Sequence, residues 1–384
     1  MASVDASLIA ARRSVVASFV LHAVMAGTLG PRLPAIKEQA HVSSSQLGIA
    51  LAGFAVGLFL GARFAPVPVR RLGTRGVLRY GAPLLAAALV MPALAHGLVA
   101  LTAALVALGF VGGLLDVANN ANAVVVERGY ARPVMSSIHG AWSVGLLASS
   151  LVSAGAVAVG ASPLLHFGIV AAAIALLSVP LLDGLLQSGK DAKDVRIEVP
   201  HSHAVPPVAI LLLGVIGFSS FLGEGAAIDW SAIYAKESLG ASATAATFAF
   251  VGFSLGMTAA RFVADRLTAR LGATRVVRVG GLAGACGLGL ALAVPEPVAA
   301  IAGFTIFGLA LAPVVPLTFS AAGNLHEGAE AAPLGWVVTI SYLGAIVGPA
   351  AIGFATHLVS LRAALLIPVG LALAIAALAG RLRG

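Results

Sequence analysis

Twelve apolar runs, each about twenty residues or longer, follow one another along the chain with only short polar or Pro/Gly-marked joints between them. About 20 apolar residues cross the hydrocarbon of a bilayer as a helix, and within hydrocarbon only helices and closed barrels satisfy their own backbone. The runs lie at about 14–36, 46–68, 77–95, 98–126, 134–159 and 162–185, then at about 206–235, 241–264, 273–293, 296–322, 330–355 and 360–380. The fold class expected is an all-α membrane protein with twelve transmembrane helices. Composition agrees. The 384 residues are 59% hydrophobic and 10% charged, against about 45–50% and about 25% in soluble domains. This excludes a soluble enzyme, a nucleic-acid-binding protein and a disordered chain. The net charge of +8 comes in short groups between apolar runs, where Lys and Arg set membrane orientation. The one cysteine, Cys286, leaves no disulfide framework or Cys-based metal site.

The longest polar stretch, 187–207, holds Lys190, Asp191, Lys193, Asp194, Arg196 and Glu198. It divides the chain into an N-terminal six-helix half, 1–186, a cytoplasmic linker, 187–207, and a C-terminal six-helix half, 208–384. With the N-terminus inside, only Arg32, Lys37, Lys236 and Arg362 of the 23 Lys and Arg residues fall outside. Adding or removing one span scrambles that split. The expectation is a multi-pass protein of the inner (plasma) membrane with both termini cytoplasmic. Arg12 and Arg13 ahead of the first run, with Ala23-Val24-Met25-Ala26, have the outline of a cleaved signal peptide. The apolar stretch continues past that point, so the run reads as a retained span. The halves also carry a repeat: Arg71–Gly81 reads RLGTRGVLRYG and Arg270–Gly280 reads RLGATRVVRVG, with six of eleven positions identical. Ala62-Arg63-Phe64 and Ala260-Arg261-Phe262 match just upstream.

Both copies join the second and third runs of their half and resemble the signature loop of the major facilitator superfamily, of the type Gly-x-x-x-Asp-Arg-x-Gly-Arg-Arg. Same-sense halves are the parallel repeat of that fold. The C-half copy keeps the acidic member in Asp265-Arg266, with Arg270 and Gly272 following; the N-half copy has Arg70 in its place, ahead of Arg71 and Gly73. The resemblance implies that this loop latches one transport state through charge contacts with neighbouring helix ends, and that half of the latch is altered here. Four further stretches are similar to the MosC/YbjJ-like branch, related to the fucose permeases. They are GPRLPAIK at 30–37, LDVANNAN at 115–122 with Val126-Glu127-Arg128, MSSIHGAWS at 135–143 and GEGAAIDWS at 223–231. The resemblance spans nearly the whole chain. It implies a monomeric secondary transporter of a small polar solute, with a sugar or polyol favoured, and no cofactor.

Ionisable residues inside apolar spans cost about 2.5–3.5 kcal/mol each on insertion scales and generally face a cavity or a partner. Glu224 and Asp229, in the seventh run beside Trp230, read as proton-binding carboxylates with Trp230 as a stacking surface. Five residues of regular helix turn through about 500°, so these two diverge by roughly 140°. The alternative puts Asp229 at a solvated helix end, paired with Lys236. Asp116, with Asn119 and Asn120 in the next turn and Asn122 beyond, reads as a third proton-coupling carboxylate with amide neighbours, or as an interhelical polar clamp. The fucose permeases use acids in helices 4 and 1, and helix 1 of this chain offers only His22 and Arg32. His139 and Trp142, near Ser136 and Ser143, read as a solute-binding pair or as packing; His22 and His326 are weaker candidates. Arg32, between Pro31 and Pro34, either binds an anionic group or extends to the lipid interface. Thr339, Ser341, Tyr342 and Asn324 offer further polar groups to a pocket.

Gly53, Gly57 and Gly61, and Gly344 with Gly348, form small-residue stripes. The resemblance places these on helices 2 and 11, which meet across the halves. Gly252-Phe253-Ser254-Leu255-Gly256 matches G-x-S-x-G but lies inside an apolar run rather than a strand–turn–helix elbow. With no nucleotide motif, transport by alternating access is expected to draw on the proton gradient. The competing readings are a proton-linked drug or metabolite efflux antiporter, a membrane sensor without transport, and a passive channel.

Overall fold

The computed structural model describes residues 6–130, 134–187, 208–323 and 332–382. Among the described residues, twelve helices are long and apolar enough to cross a membrane, and there are no strands. They are α1 (Ala6–Gln39), α2 (Ser44–Phe64), α3 (Pro66–Leu94), α4 (Gly97–Gly129), α5 (Ser137–Ala158) and α6 (Pro163–Leu181). Then come α7 (Val208–Ser238), α8 (Ala243–Leu271), α9 (Ala273–Ala293), α10 (Pro297–Ala322), α11 (Gly335–Leu358) and α12 (Leu361–Leu382). The expected linker lies outside the described residues from 188 to 207.

The helices begin where local chemistry permits. Ser162, Ser242 and Ser360 each accept a hydrogen bond from the backbone N–H three residues on, which caps α6, α8 and α12. In α1, Pro31 and Pro34 are absorbed by a 3₁₀ turn over Gly30–Arg32.

The chain forms two compact units: Met1–Ser43 with Gly53–Arg196, and Ser44–Ala52 with Ile197–Gly384. In the first unit α1 packs on α5 and α4, and α3 on α4 and α6. In the second, α7 packs on α11 and α8 on α10. The repeat read from the basic loops extends into the packing. Gly73 (φ 71°, ψ 167°) and Gly272 (φ 79°, ψ 150°) share one positive-φ conformation that L side chains resist; Gly73 breaks α3 within its cytoplasmic-loop copy of the repeat, and Gly272 is where α8 gives way to α9.

The glycine stripes are placed differently from expectation. A methyl group on Gly57 or Gly61 would collide with the carbonyls of Val106 or Phe110 in α4, and one on Gly109 or Gly113 with those of Phe54 or Leu58 in α2. The α2 stripe therefore seats α2 on α4, within a half. In the second unit Gly256 and Gly308 make the same close approach between α8 and α10. Gly344 and Gly348 lie against Phe218 and Leu222 of α7. The glycine that meets α11 is Gly48, in the stretch that groups with the second unit, close against Gly353. The reason is local: a GxxxG stripe answered by a second GxxxG lets two backbones touch, and α4 supplies that answer through Gly109 and Gly113.

Candidate functional site

In the first unit, polar side chains of α1, α4 and α5 converge. Asp116 of α4 is half-buried and interacts electrostatically with His22 of α1, which is buried. Asn120 donates to the Asp116 backbone carbonyl at 2.8 Å and to its carboxylate Oδ1 at 3.3 Å. Ser18, one turn before His22, donates to Asn119 Oδ1 at 2.5 Å, a bond buried from solvent, while Asn119 Nδ2 lacks a partner. On α5, His139 is exposed and its ring meets Phe19 edge-on at 5.1 Å. Trp142 is half-buried, and between them Gly140 opens onto space that a Cβ would not fill. Asp116 and Asn119 of α4 thus meet His22 and Ser18 of α1, and His139 of α5 meets Phe19 of the same stretch of α1. Asn122 belongs elsewhere: it is fully buried and donates to Thr74 Oγ1 and the Leu186 carbonyl, each at 2.9 Å, tying α4 to α3 and the end of α6.

In the second unit, α7 carries Phe221, Glu224 and Gly225 within one turn. Phe221 stacks on Tyr342 of α11 at 5.1 Å with 23° between planes, and lies 6.5 Å from Phe319 of α10. Tyr342 is 45% exposed, so this aromatic trio presents a face. Glu224, half-buried one turn on, interacts electrostatically with Arg261 of α8. Gly225 faces open space. The helix is regular through Glu224 and Asp229, so the two carboxylates diverge as expected. Asp229 is half-buried and has no ion-pair partner among the described residues, Lys236 included.

Two expectations are corrected. Trp230 is fully buried, so its ring packs in the core of α7 rather than offering a stacking surface; Phe221 and Tyr342 provide one instead. Arg32 does not extend to lipid. It is buried, ten residues beyond His22 and so about 15 Å along the helix axis, and it donates to the Ala161 carbonyl. Asn324 and His326 lie outside the described residues, as does the Ser136 side chain. Thr339 and Ser341 donate to backbone carbonyls one turn back in α11.

The basic loops differ between units. Asp265, Arg266 and Arg270 are exposed and have no ion-pair partner among the described residues. In the first unit Arg71 is exposed and Gly73 makes the helix break, while Arg75 and Arg79 both reach Asp183 at the end of α6, at 3.2 and 3.4 Å. Asp183 thus supplies a carboxylate to a loop whose own acidic position is Arg70. Close by, Glu127 Oε2 accepts from the Val134 and Met135 N–H groups at 2.8 and 2.7 Å, capping the α5 helix. Arg12 packs over Tyr130 and donates to Ser137 Oγ at 3.1 Å.

Residues not singled out from sequence include Arg261, Ser18, Phe19, Phe221, Phe319 and Asp183. Arg261 carried a signal, being a cation matched by the repeat at a span's end, but it read as an orientation charge. The aromatic trio carried none, since single Phe residues in apolar runs look alike.

The family model described as "Major Facilitator Superfamily" matches residues 212–383. An uncharacterised MFS-type transporter of Yersinia pestis is 32% identical over 342 residues, covering 87% of this chain and 86% of the relative. Membrane protein MosC of Rhizobium meliloti is 27% identical over 366 residues, 94% of this chain and 88% of the relative. Among solved structures, the nucleoside transporter NupG superposes with a TM-score of 0.72 at 14% identity, over 99% of this chain and 100% of the other, a likeness of fold. With twelve apolar helices in the arrangement of known transporters and a relative of this identity over nearly its whole length, the chain belongs to the major facilitator superfamily, and is a membrane transporter rather than an enzyme.

Proposed function

We propose that this protein is a proton-coupled secondary transporter of a small polar organic solute, a sugar or polyol, working by alternating access in the inner membrane with both termini cytoplasmic. The observation that carries the reading is the company of Asp116. A carboxylate inside an apolar span is costly unless it serves a cavity or a partner, and this one stands within electrostatic reach of His22, accepts from Asn120 and has no Lys or Arg ion-pair partner among the described residues. Asp116 is accordingly the first proton site. Glu224 and Asp229 are the further coupling carboxylates: Glu224 lies within electrostatic reach of Arg261, while Asp229 has no ion-pair partner among the described residues. Asn119, Asn120, His139 and Trp142 supply hydrogen bonds to hydroxyls in one unit, and Phe221 and Tyr342 supply a stacking face in the other. The halves 1–186 and 208–384, joined by 187–207, are the moving parts of a monomer, and Gly73 and Gly272 mark the loops that latch them.

The test uses proteoliposomes loaded with a pH dye and challenged externally with pooled sugars, polyols, organic acids and cationic drugs. One sugar or polyol pool should acidify the interior, and Asp116→Asn should abolish acidification and accumulation while sparing solute counterflow. If Asp116→Asn, Glu224→Gln and Asp229→Asn all keep proton-driven accumulation, the coupling assignment is wrong. The exposed aromatic trio favours a second reading, efflux of amphipathic compounds by proton antiport. Internal alkalinisation with the cationic pool would select it.

A further inference from the structure

α1 ends in the 3₁₀ turn Gly30–Arg32 and the short helical stretch Leu33–Gln39. There Arg32 is 4% exposed. One of its donors goes to the Ala161 carbonyl in the turn before α6, its Nε has no partner, and no carboxylate among the described residues pairs with it. Within electrostatic reach is His166, 3% exposed, in the first turn of α6, with neither ring nitrogen hydrogen-bonded among the described residues. One turn before Arg32 on α1, the buried Thr28 hydroxyl likewise has no hydrogen-bond partner among the described residues.

A guanidinium stays charged at any physiological pH, and burying one without a counter-ion or a full set of acceptors is strongly unfavourable. The orphaned atoms are dominated by donors: an Arg N–H, an imidazole N–H and a hydroxyl. The Arg and His atoms lie at the N-terminal, positive end of a 19-residue helix, and Thr28 lies one turn before Arg32 along α1. The one chemical group this cluster lacks is a negatively charged acceptor. A halide-sized anion is the most compact group that supplies one.

We propose that Arg32, His166 and Thr28 bind a small monovalent inorganic anion of chloride size, which fastens the end of α1 to the start of α6. The site is separate from the polar region around Asp116, three helical turns away, and does not depend on the transport reading.

The test measures the melting temperature of the purified full-length chain in detergent, in chloride, bromide, acetate or gluconate at fixed cation, pH and ionic strength. Chloride and bromide should raise it saturably by about 2–5 °C over gluconate. The rise should vanish in Arg32→Gln and His166→Asn, and persist in Arg362→Gln, which removes an exposed arginine elsewhere. Should Arg32→Gln fail to give a monodisperse protein, His166→Asn carries the comparison. Equal melting in chloride and gluconate, or a chloride effect of the same size in wild type and both variants, overturns the proposal. So does acetate acting as well as chloride, which would assign the cluster to a carboxylate-bearing solute.

Discussion

A carboxylate in an apolar helix is defined by the groups that answer it, and here three carboxylates receive three different answers. Asp116 has a histidine and an asparagine, Glu224 has an arginine, and Asp229 has no ionic partner among the described residues. The Glu224–Arg261 pair makes a prediction of its own. Removing either member removes their mutual attraction, so Glu224→Gln and Arg261→Gln should each destabilise by about 1–2 kcal/mol, and the double variant by less than the two single effects combined. Thermal unfolding of the four proteins checks this; strict additivity would mean the two do not interact. At the aromatic trio, Tyr342→Ala should weaken solute binding several-fold, and Trp230→Phe should leave affinity unchanged if the protein folds, because only the first ring is accessible. Asp116, Glu224 and Asp229 were legible as single letters because a charge in an apolar run is conspicuous. Their partners were not, since Arg261 lies 37 positions from Glu224 (261 − 224) and His22 lies 94 from Asp116 (116 − 22). Which helix faces which is absent from a linear pattern.

At the scale of helices, glycine governs how closely the backbones approach. Gly57 and Gly256 sit where a side chain would strike a neighbouring backbone carbonyl, whereas Gly140 and Gly225 face open space. Gly57→Val and Gly256→Val should therefore abolish or severely reduce folded protein, while Gly140→Ala and Gly225→Ala leave the melting temperature within about 1–2 °C of wild type. Expression and thermal unfolding in detergent separate the two classes. Glu127→Ala removes the acceptor for two N–H groups at the head of the α5 helix and should cost about 1–2 kcal/mol. The stripe on α2 was visible in the sequence as spacing. Its partner was mistaken, because four-residue spacing says that a face is thin and not what lies against it; the matching Gly109 and Gly113 on α4 decide that.

For the whole molecule, the proposed orientation is checked by labelling from outside. In a Cys286→Ser background, a cysteine at Arg362 should react with an impermeant maleimide in intact cells, and one at Arg381 only after permeabilisation. The reverse pattern would invert the topology. The sequence by itself determined that this chain spans a membrane with twelve helices and that its halves repeat. These follow from hydrophobic length and from backbone self-satisfaction in hydrocarbon, both local along the chain. Only the tertiary structure decided that Trp230 is core while Phe221 and Tyr342 are accessible, that Asp183 answers Arg75 and Arg79, and that Arg32 is buried beside His166. The reason is rotational. In a helix apolar on every side, hydropathy does not mark which face turns inward, so the azimuth of each helix is set by its packing against the others.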